Sequence, residues 1–154
     1  MLELCEAFGH TAERRQILSS FLSMRHVLQT TVTDGFQWID GSFVENVEAA
    51  QGRPPGDIDV VTFADPSTCD GGRKGFMRQC KALLDPTQSK QIFRTHHFFV
   101  PLDIDGRSLV ELSTYYFGLF SHKRDGTPKG MLVADLHDQG EDQAATEWLG
   151  KYDD

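Results

Sequence analysis

Two aspartates near the middle of the chain have the type and spacing that could hold a metal ion. Asp57 and Asp59 flank Ile58 at the start of the run Asp-Ile-Asp-Val-Val. Because residues two apart in a strand point to the same face, both carboxylates should project together while Ile58 turns into the core. Two such carboxylates repel each other unless a cation lies between them. Magnesium prefers oxygen ligands and leaves room for phosphates, so the pair predicts a divalent-metal site.

A Gly-Ser turn that precedes this pair could bind phosphate. Gly41 and Ser42 follow the aromatic, β-branched segment 36–39, which is typical of a strand. Glycine permits a close backbone approach, and the N–H groups and hydroxyl of such a turn can hold phosphate oxygens. Together the motifs predict a metal-bound nucleoside triphosphate that reacts at its α-phosphate. Each motif alone also has a structural explanation. The two aspartates could be an edge-strand pair or a helix cap, and the Gly-Ser pair could be an ordinary turn.

Basic residues elsewhere in the chain could also meet a triphosphate. Lys123, Arg124 and Lys129 form a basic cluster, and Lys129 is the residue that we assign to the phosphates. Arg73 and Lys74 follow the acidic strand and offer a second candidate. In both places the alternative is a solvated loop.

The hydrophobic pattern predicts a sheet with helices packed against it. Apolar residues recur every three or four positions over residues 12–29, which predicts an amphipathic helix. Thr11 is its predicted N-cap, with Arg14 and Arg15 toward solvent. Further elements are expected in chain order: strands at 36–39, 58–63, 92–100 and 130–136, helices at 76–84 (ended by Asp85-Pro86) and 144–149, and a turn or helix at 109–120. This order favours an α/β or α+β domain.

Length and charge narrow the class of protein. The 154 residues predict a single domain, 1–154, with a core at about 12–136 and a polar, acidic tail at 137–154. A net charge of −8 disfavours a long nucleic acid as partner, because that binding needs a basic surface. We expect no membrane association, since no apolar run approaches the ~20 residues of a membrane helix. The N-terminal segment is not typical of a signal peptide and the cysteines are widely spaced, which favours a cytoplasmic protein.

The order of these motifs resembles a known superfamily. The segment W-I-D-G-S-F-V-E-N, followed by P-P-G-D-I-D-V-V, is similar to the DNA polymerase beta-like nucleotidyltransferases. It resembles more narrowly a family of short, stand-alone bacterial proteins with D-G-S-F and D-I-D-V-V motifs. Later segments also fit that pattern, namely H-F-F-V-P (97–101), Y-F-G-L-F (116–120) and K-G-M-L (129–132). The resemblance covers about residues 14–136.

The resemblance implies an α+β fold, with a nucleotidyltransferase-like mixed β-sheet backed by helices. It implies Gly41 and Ser42 at the triphosphate, and Asp57 and Asp59 as ligands of Mg²⁺ or Mn²⁺. The superfamily has a third carboxylate, a general base and shared ligand, on a following strand.

The chain departs from that pattern at the third carboxylate. The expected position holds His96, which could ligate a metal or act as a base near neutral pH. Imidazole is a poor ligand for magnesium and prefers softer metals. Asp103, Asp105 and Glu111 are the acidic alternatives, although the first two also fit a turn. For His96 and His97 the alternative is one surface residue and one half-buried residue of the strand.

Two functions follow from this resemblance. In the first, the protein is a metal-dependent nucleotidyltransferase that moves a nucleoside monophosphate from a nucleoside triphosphate to a hydroxyl acceptor. The superfamily's small bacterial members include antitoxins that nucleotidylate a toxin, which favours a protein acceptor in a toxin–antitoxin or defence setting. In the second, the fold is catalytically degenerate and acts as a binding module through a protein partner, as an antitoxin or a nucleotide sensor.

Overall fold

A four-stranded sheet with helices on both faces forms the part of the chain that the structure describes. The computed structural model describes residues 1–152, apart from the side chain of Gln139. The strands are β1 (Gly35–Asp40), β2 (Ile58–Ala64), β3 (Thr95–Pro101) and β4 (Leu132–Asp135). The helices are α1 (Leu2–Phe8), α2 (Ala12–Gln29), α3 (Val47–Gln51), α4 (Gly72–Gln79), α5 (Pro86–Phe93), α6 (Gly106–Phe120) and α7 (Gln139–Gly150). Short 3-10 turns lie at Ser42–Val44 and Pro66–Thr68.

The sheet is mixed, with the strand order β3-β2-β1-β4. Strand β1 pairs antiparallel with both β2 and β4, whereas β2 and β3 run parallel. The predicted α+β class, a mixed sheet backed by helices, is therefore confirmed. No helix within residues 1–152 combines the length and the apolar character that a membrane crossing requires.

The two faces of the sheet carry separate apolar clusters. Six of the seven residues of β2 are buried, as expected for a strand that is covered on both faces. On one face, here called the α2 face, buried residues of α2 pack with Ile39, Val60 and Ala64. On the other, the α6 face, Leu112 and Phe120 of α6 pack with Val61, Phe63 and Val100. The helices thus cover both sides of the strands that carry the acidic motif.

Helix α2 has the predicted bounds, but one of its side chains, predicted to be exposed, is buried. The Thr11 hydroxyl accepts a hydrogen bond from the Arg14 backbone N–H, which confirms the N-cap. The prediction that Arg14 faces solvent was wrong, because its side chain is fully buried. It binds the Glu48 carboxylate and the carbonyl groups of Phe43 and Glu45. These acceptors compensate for burying the charge and anchor the segment after β1 to α2.

The middle of the chain holds one more helix than the pattern predicts. Helix α4 covers Gly72–Gln79, earlier than the predicted 76–84. Asp85-Pro86 begins helix α5, where an end was predicted, because the Asp85 carboxylate caps Thr87 and Gln88 and proline suits the first helical position. Strand β3 consequently begins at Thr95, not at residue 92.

The C-terminal third is more ordered than its polar sequence suggests. The segment predicted as a turn or helix is helix α6, and the last strand is limited to β4. Helix α7 extends well beyond the predicted 144–149 and buries Ala145 and Leu149 in the α2-face cluster. The predicted acidic tail is thus largely part of the domain. Its Asp153 and Asp154 lie outside the described residues.

Candidate functional site

Two adjacent parallel strands bring the predicted acidic pair beside a histidine. Asp59 is the second residue of β2 and lies next to His96 of β3 in the sheet register, while Asp57 immediately precedes β2. One ligand atom from each of Asp57, Asp59 and His96 lies within 4.8 Å of the other two. All three side chains are partly exposed. The arrangement offers two carboxylates and an imidazole to one small volume that solvent can reach.

His96 occupies the place where the superfamily resemblance implies a third carboxylate. Its Nδ1 lies 3.1 Å from Asp59 Oδ1, and its ring packs against Phe98 with the centroids 4.7 Å apart. The side chain is 40% exposed. When Nδ1 carries the proton that it donates to Asp59, Nε2 remains free to accept a proton or to bind a metal.

The three acidic alternatives to His96 have other partners. These pairs are Asp103 with Arg73, Asp105 with the Ser108 N–H, and Glu111 with Arg107. Because β2 and β3 are parallel, the pair Ala64–Pro101 lies five residues beyond the pair Asp59–His96. Five residues span roughly 17 Å of strand, so Asp103, just after Pro101, lies beyond the opposite end of the sheet. The basic candidate Arg73 lies there with it.

A third aspartate, which the motif spacing did not indicate, lies beside the pair. Asp40 ends β1 directly opposite Asp59 in the antiparallel register, so both project from the α6 face. The side chain of Asp40 is 4% exposed. Its Oδ2 lies 3.1 Å from Lys129 Nζ, whereas its Oδ1 has no hydrogen-bond partner among the described residues. The sequence signal that could have indicated Asp40 is its position directly before the Gly-Ser turn.

Lys129 lies at the Gly-Ser turn, as its assignment to the phosphates requires. Its Nζ is 3.2 Å from the Gly41 carbonyl oxygen, 2.7 Å from Glu45 Oε1 and close to Asp40. The side chain is 11% exposed, so it lies in the site and not in a solvated loop. Lys90 of α5 forms a second ion pair, 2.8 Å from Asp57 Oδ2. Sequence reasoning missed Lys90 and Glu45, whose positions depend on contacts distant along the chain.

The Gly-Ser turn approaches the acidic pair more closely than any side chain would allow. Gly41 has a φ of +87°, which L-residues rarely adopt. A Cβ at this position would also crowd the Asp59 carboxylate, which would have to shift. The positive φ is therefore the main reason that this position favours glycine. Ser42 opens the following 3-10 turn, which directs the chain toward α3.

Electrostatics at this end of the sheet leave the carboxylates short of positive charge. Burial, followed by repulsion from Asp57, raises the pKa of Asp59, while His96 and Lys90 oppose the shift. Burial likewise raises the pKa of Asp40. Four carboxylates, those of Asp40, Glu45, Asp57 and Asp59, meet two lysines in this cluster. Acidic groups therefore outnumber the lysines around them, and a bound cation would offset that surplus.

The side chains at this end of the sheet are of types that can bind a divalent cation. Carboxylate oxygens suit Mg²⁺ and Mn²⁺, and an adjacent imidazole favours the softer of the two. Asp40 Oδ1, buried and without a hydrogen-bond partner among the described residues, is a further acceptor on the same face of the sheet. Asp57 and Asp59 are the residues that would hold the ion, with the Gly41–Ser42 turn and Lys129 available to a phosphate chain.

Comparison with known proteins identifies a family without a described activity. No curated protein and no solved structure matches the chain. The model of the DUF6932 family, described as a family of unknown function, matches residues 1–135. That range includes all of β1 to β4, Lys129 and the acidic cluster. The chain therefore belongs to the DUF6932 family.

Proposed function

We propose that the protein is a metal-dependent nucleotidyltransferase. It binds a nucleoside triphosphate with Mg²⁺ or Mn²⁺ and transfers the nucleoside monophosphate to a hydroxyl acceptor, with release of pyrophosphate. The observation that carries this proposal is the cluster of Asp57, Asp59 and His96, whose ligand atoms lie within 4.8 Å of one another. The Gly41–Ser42 turn beside it supplies the second component, a phosphate-binding backbone.

Each residue of the site has a defined part in this reaction. Asp57 and Asp59 hold the ion, which when bound stabilises the charge that develops on the α-phosphate. The Gly41–Ser42 turn and Lys129 hold the triphosphate. His96, oriented by Asp59, accepts the proton of the attacking hydroxyl at Nε2 as the new oxygen–phosphorus bond forms and the bond to pyrophosphate breaks.

The acceptor that best suits this chain is a protein hydroxyl. The domain carries a formal charge of −8, which disfavours a long nucleic acid and favours a basic protein partner. An acceptor of this kind fits a toxin–antitoxin or defence setting, in which a small enzyme modifies its partner.

Labelled nucleotides test this proposal directly. The full chain is incubated with α-labelled nucleoside triphosphates, Mg²⁺ or Mn²⁺ and cell lysate, beside an Asp57→Asn/Asp59→Asn double variant and an Asp103→Asn control. We expect transfer of the label by the parent chain and the control, and its loss in the double variant. The proposal fails if no product is labelled and calorimetry detects no nucleotide binding, or if labelling survives in the double variant.

A second function, a binding module without catalysis, is favoured by two features of the site. Lys90 and Lys129 already pair with the acidic residues, and a histidine stands at the position implied for a third carboxylate. A module of this kind would bind a nucleotide, or a basic protein partner, without turnover. Calorimetric binding of a nucleoside triphosphate, combined with the absence of any labelled product, would favour it over the enzyme.

A further inference from the structure

Asp40 Oδ1 is the polar atom that the proposed reaction leaves unexplained. A buried carboxylate oxygen without a partner is costly, and the great majority of such atoms are hydrogen-bonded. The Asp40 side chain is 4% exposed, yet Oδ1 meets no donor among the described residues. Lys129 is the one side chain that pairs with Asp40 among the described residues, and the backbone N–H of Gly41 also interacts with its carboxyl group.

The sheet register places this carboxylate on the face that carries the acidic cluster, outside the set of ligand atoms that lie within 4.8 Å of one another. Asp40 and Asp59 are direct cross-strand neighbours, and side chains in that relation have Cβ atoms about 5 Å apart on one face. The same face carries His96 on the next strand. Three neighbouring strands therefore each contribute one ligand-type side chain, and Asp57 adds a fourth.

The contacts of Lys129 would allow a cation to replace its ammonium group at Asp40. Its ammonium group is shared among Asp40, Glu45 and the Gly41 carbonyl, and it stands on a flexible four-carbon stem. If a cation replaced it at Asp40, Lys129 could keep Glu45, 2.7 Å away, and remain beside the Gly-Ser turn. No other positively charged side chain contacts Asp40 among the residues that the structure describes.

We infer that Asp40 is a third carboxylate of the metal centre and that Lys129 competes with the metal for it. Without the ion, Lys129 neutralises Asp40. With the ion, Asp40 joins Asp57 and Asp59 as a ligand, and Lys129 turns from Asp40 toward the phosphate side of the Gly-Ser turn. This inference rests on the proposed function, because it takes the metal at Asp57 and Asp59 as given.

Titration with Mn²⁺ alone, followed by the electron paramagnetic resonance signal of the free ion, tests the competition. The full chain is compared with Asp40→Asn, Lys129→Met, the double variant that combines them, and an Asp103→Asn control. We expect Asp40→Asn to weaken binding about tenfold, as loss of a metal-site group does. Lys129→Met should tighten it about fivefold, because a competing charge is removed. In the double variant, Lys129→Met should bring no gain.

The outcomes separate this inference from the proposed function. The inference is overturned if Asp40→Asn binds Mn²⁺ like the parent chain, or if Lys129→Met does not tighten binding. If Asp40→Asn does not fold, as judged by circular dichroism, the Lys129→Met arm still decides. The metal centre itself is tested by Asp57→Asn/Asp59→Asn. If this variant binds as the parent does, or the parent binds no Mn²⁺, the proposed function fails and the inference fails with it.

Discussion

Arg25 and Asp40 are both buried, charged side chains beside the central strands, and they differ in how completely they are hydrogen-bonded. Arg25, on the α2 face, is fully buried and donates five hydrogen bonds: to both Asp142 oxygens, to Gln37 and to the carbonyls of Asp135 and Leu136. Asp40, on the α6 face, leaves one oxygen without a partner and lies beside another acid. The first arrangement stabilises the fold. The second is costly unless something else is bound, which is typical of a functional site.

The two adjacent histidines of β3 repeat this contrast. His97 points to the α2 face, where its Nδ1 donates to the Leu83 carbonyl and its Nε2 accepts from the Thr62 hydroxyl. Burial lowers the pKa of His97 to about 4, so it is neutral near pH 7. His96 points to the α6 face, is 40% exposed and contacts Asp59. Strand alternation thus assigns one histidine to the core and the other to the site.

Breaking the satisfied network should have the largest effect on stability. Arg25→Met keeps the length of the side chain but leaves Asp142 and Gln37 without their partner in the interior. We expect a loss of about 3–5 kcal/mol in the free energy of unfolding, measured by urea denaturation. Arg107→Met, which removes the exposed pair with Glu111, should change it by less than about 0.5 kcal/mol. Equal losses in the two variants would contradict the contrast.

Removing the Arg14–Glu48 ion pair, whose arginine lies on α2, should lower the free energy of unfolding by a smaller amount that depends on pH. Hydrogen bonds from the Arg14 guanidinium lower the pKa of Glu48 from 4.5 to about 2. A lowered folded-state pKa means that this stabilisation is present above pH 4.5 and is lost as the pH falls from 4.5 toward 2. Glu48→Gln should therefore cost about 1–2 kcal/mol at pH 7, and the difference from the parent chain should shrink in this window.

Urea denaturation at pH 7, 4 and 2.5 measures this difference, with Glu147→Gln, an exposed acid of α7, as control. A difference that stays constant down to pH 2.5 would show that Glu48 stabilises the protein through its shape and not through its charge.

Local sequence patterns predicted the elements whose signals lie within them. The three- and four-residue apolar repeat of α2 and the apolar run of β2 each identify their element without reference to the rest of the chain. Helix α5 was missed because Asp85-Pro86 is ambiguous: the same pair can end one helix or cap the next. Arg14 was misplaced because its acceptors come from the segment after β1, which the helical pattern does not include.

The same distinction applies to the site. Asp57 and Asp59 share a local motif, so their spacing was enough to place them together. Asp40 meets Asp59 only through the antiparallel register of β1 and β2, and it meets Lys129 across 89 positions of the chain. Neither relation follows from residue spacing, because the sheet order and register are set by the packing of the whole domain.

The smallest predicted effect is an increase in the free energy of unfolding, opposite in sign to the changes above. It tests most directly whether the two faces of the sheet differ. Asp59→Asn keeps an oxygen that can accept from His96 and removes the repulsion from Asp57 that, with burial, raises the pKa of Asp59. We expect the free energy of unfolding to rise by about 0.5–1 kcal/mol, while Mn²⁺ binding is lost. Asp142→Asn, the same chemical change in the satisfied network, should lower it, because Arg25 loses its countercharge.

Paired urea denaturations of these two variants without added metal give both signs in one experiment. A carboxylate whose removal stabilises the fold is retained for a reason other than the fold, and cation binding is the reason that we propose. A loss of more than about 1 kcal/mol in Asp59→Asn would instead make Asp59 part of the structural framework. The satisfied network on the α2 face and the acidic cluster on the α6 face would then both be structural, and the contrast between them would no longer indicate a functional site.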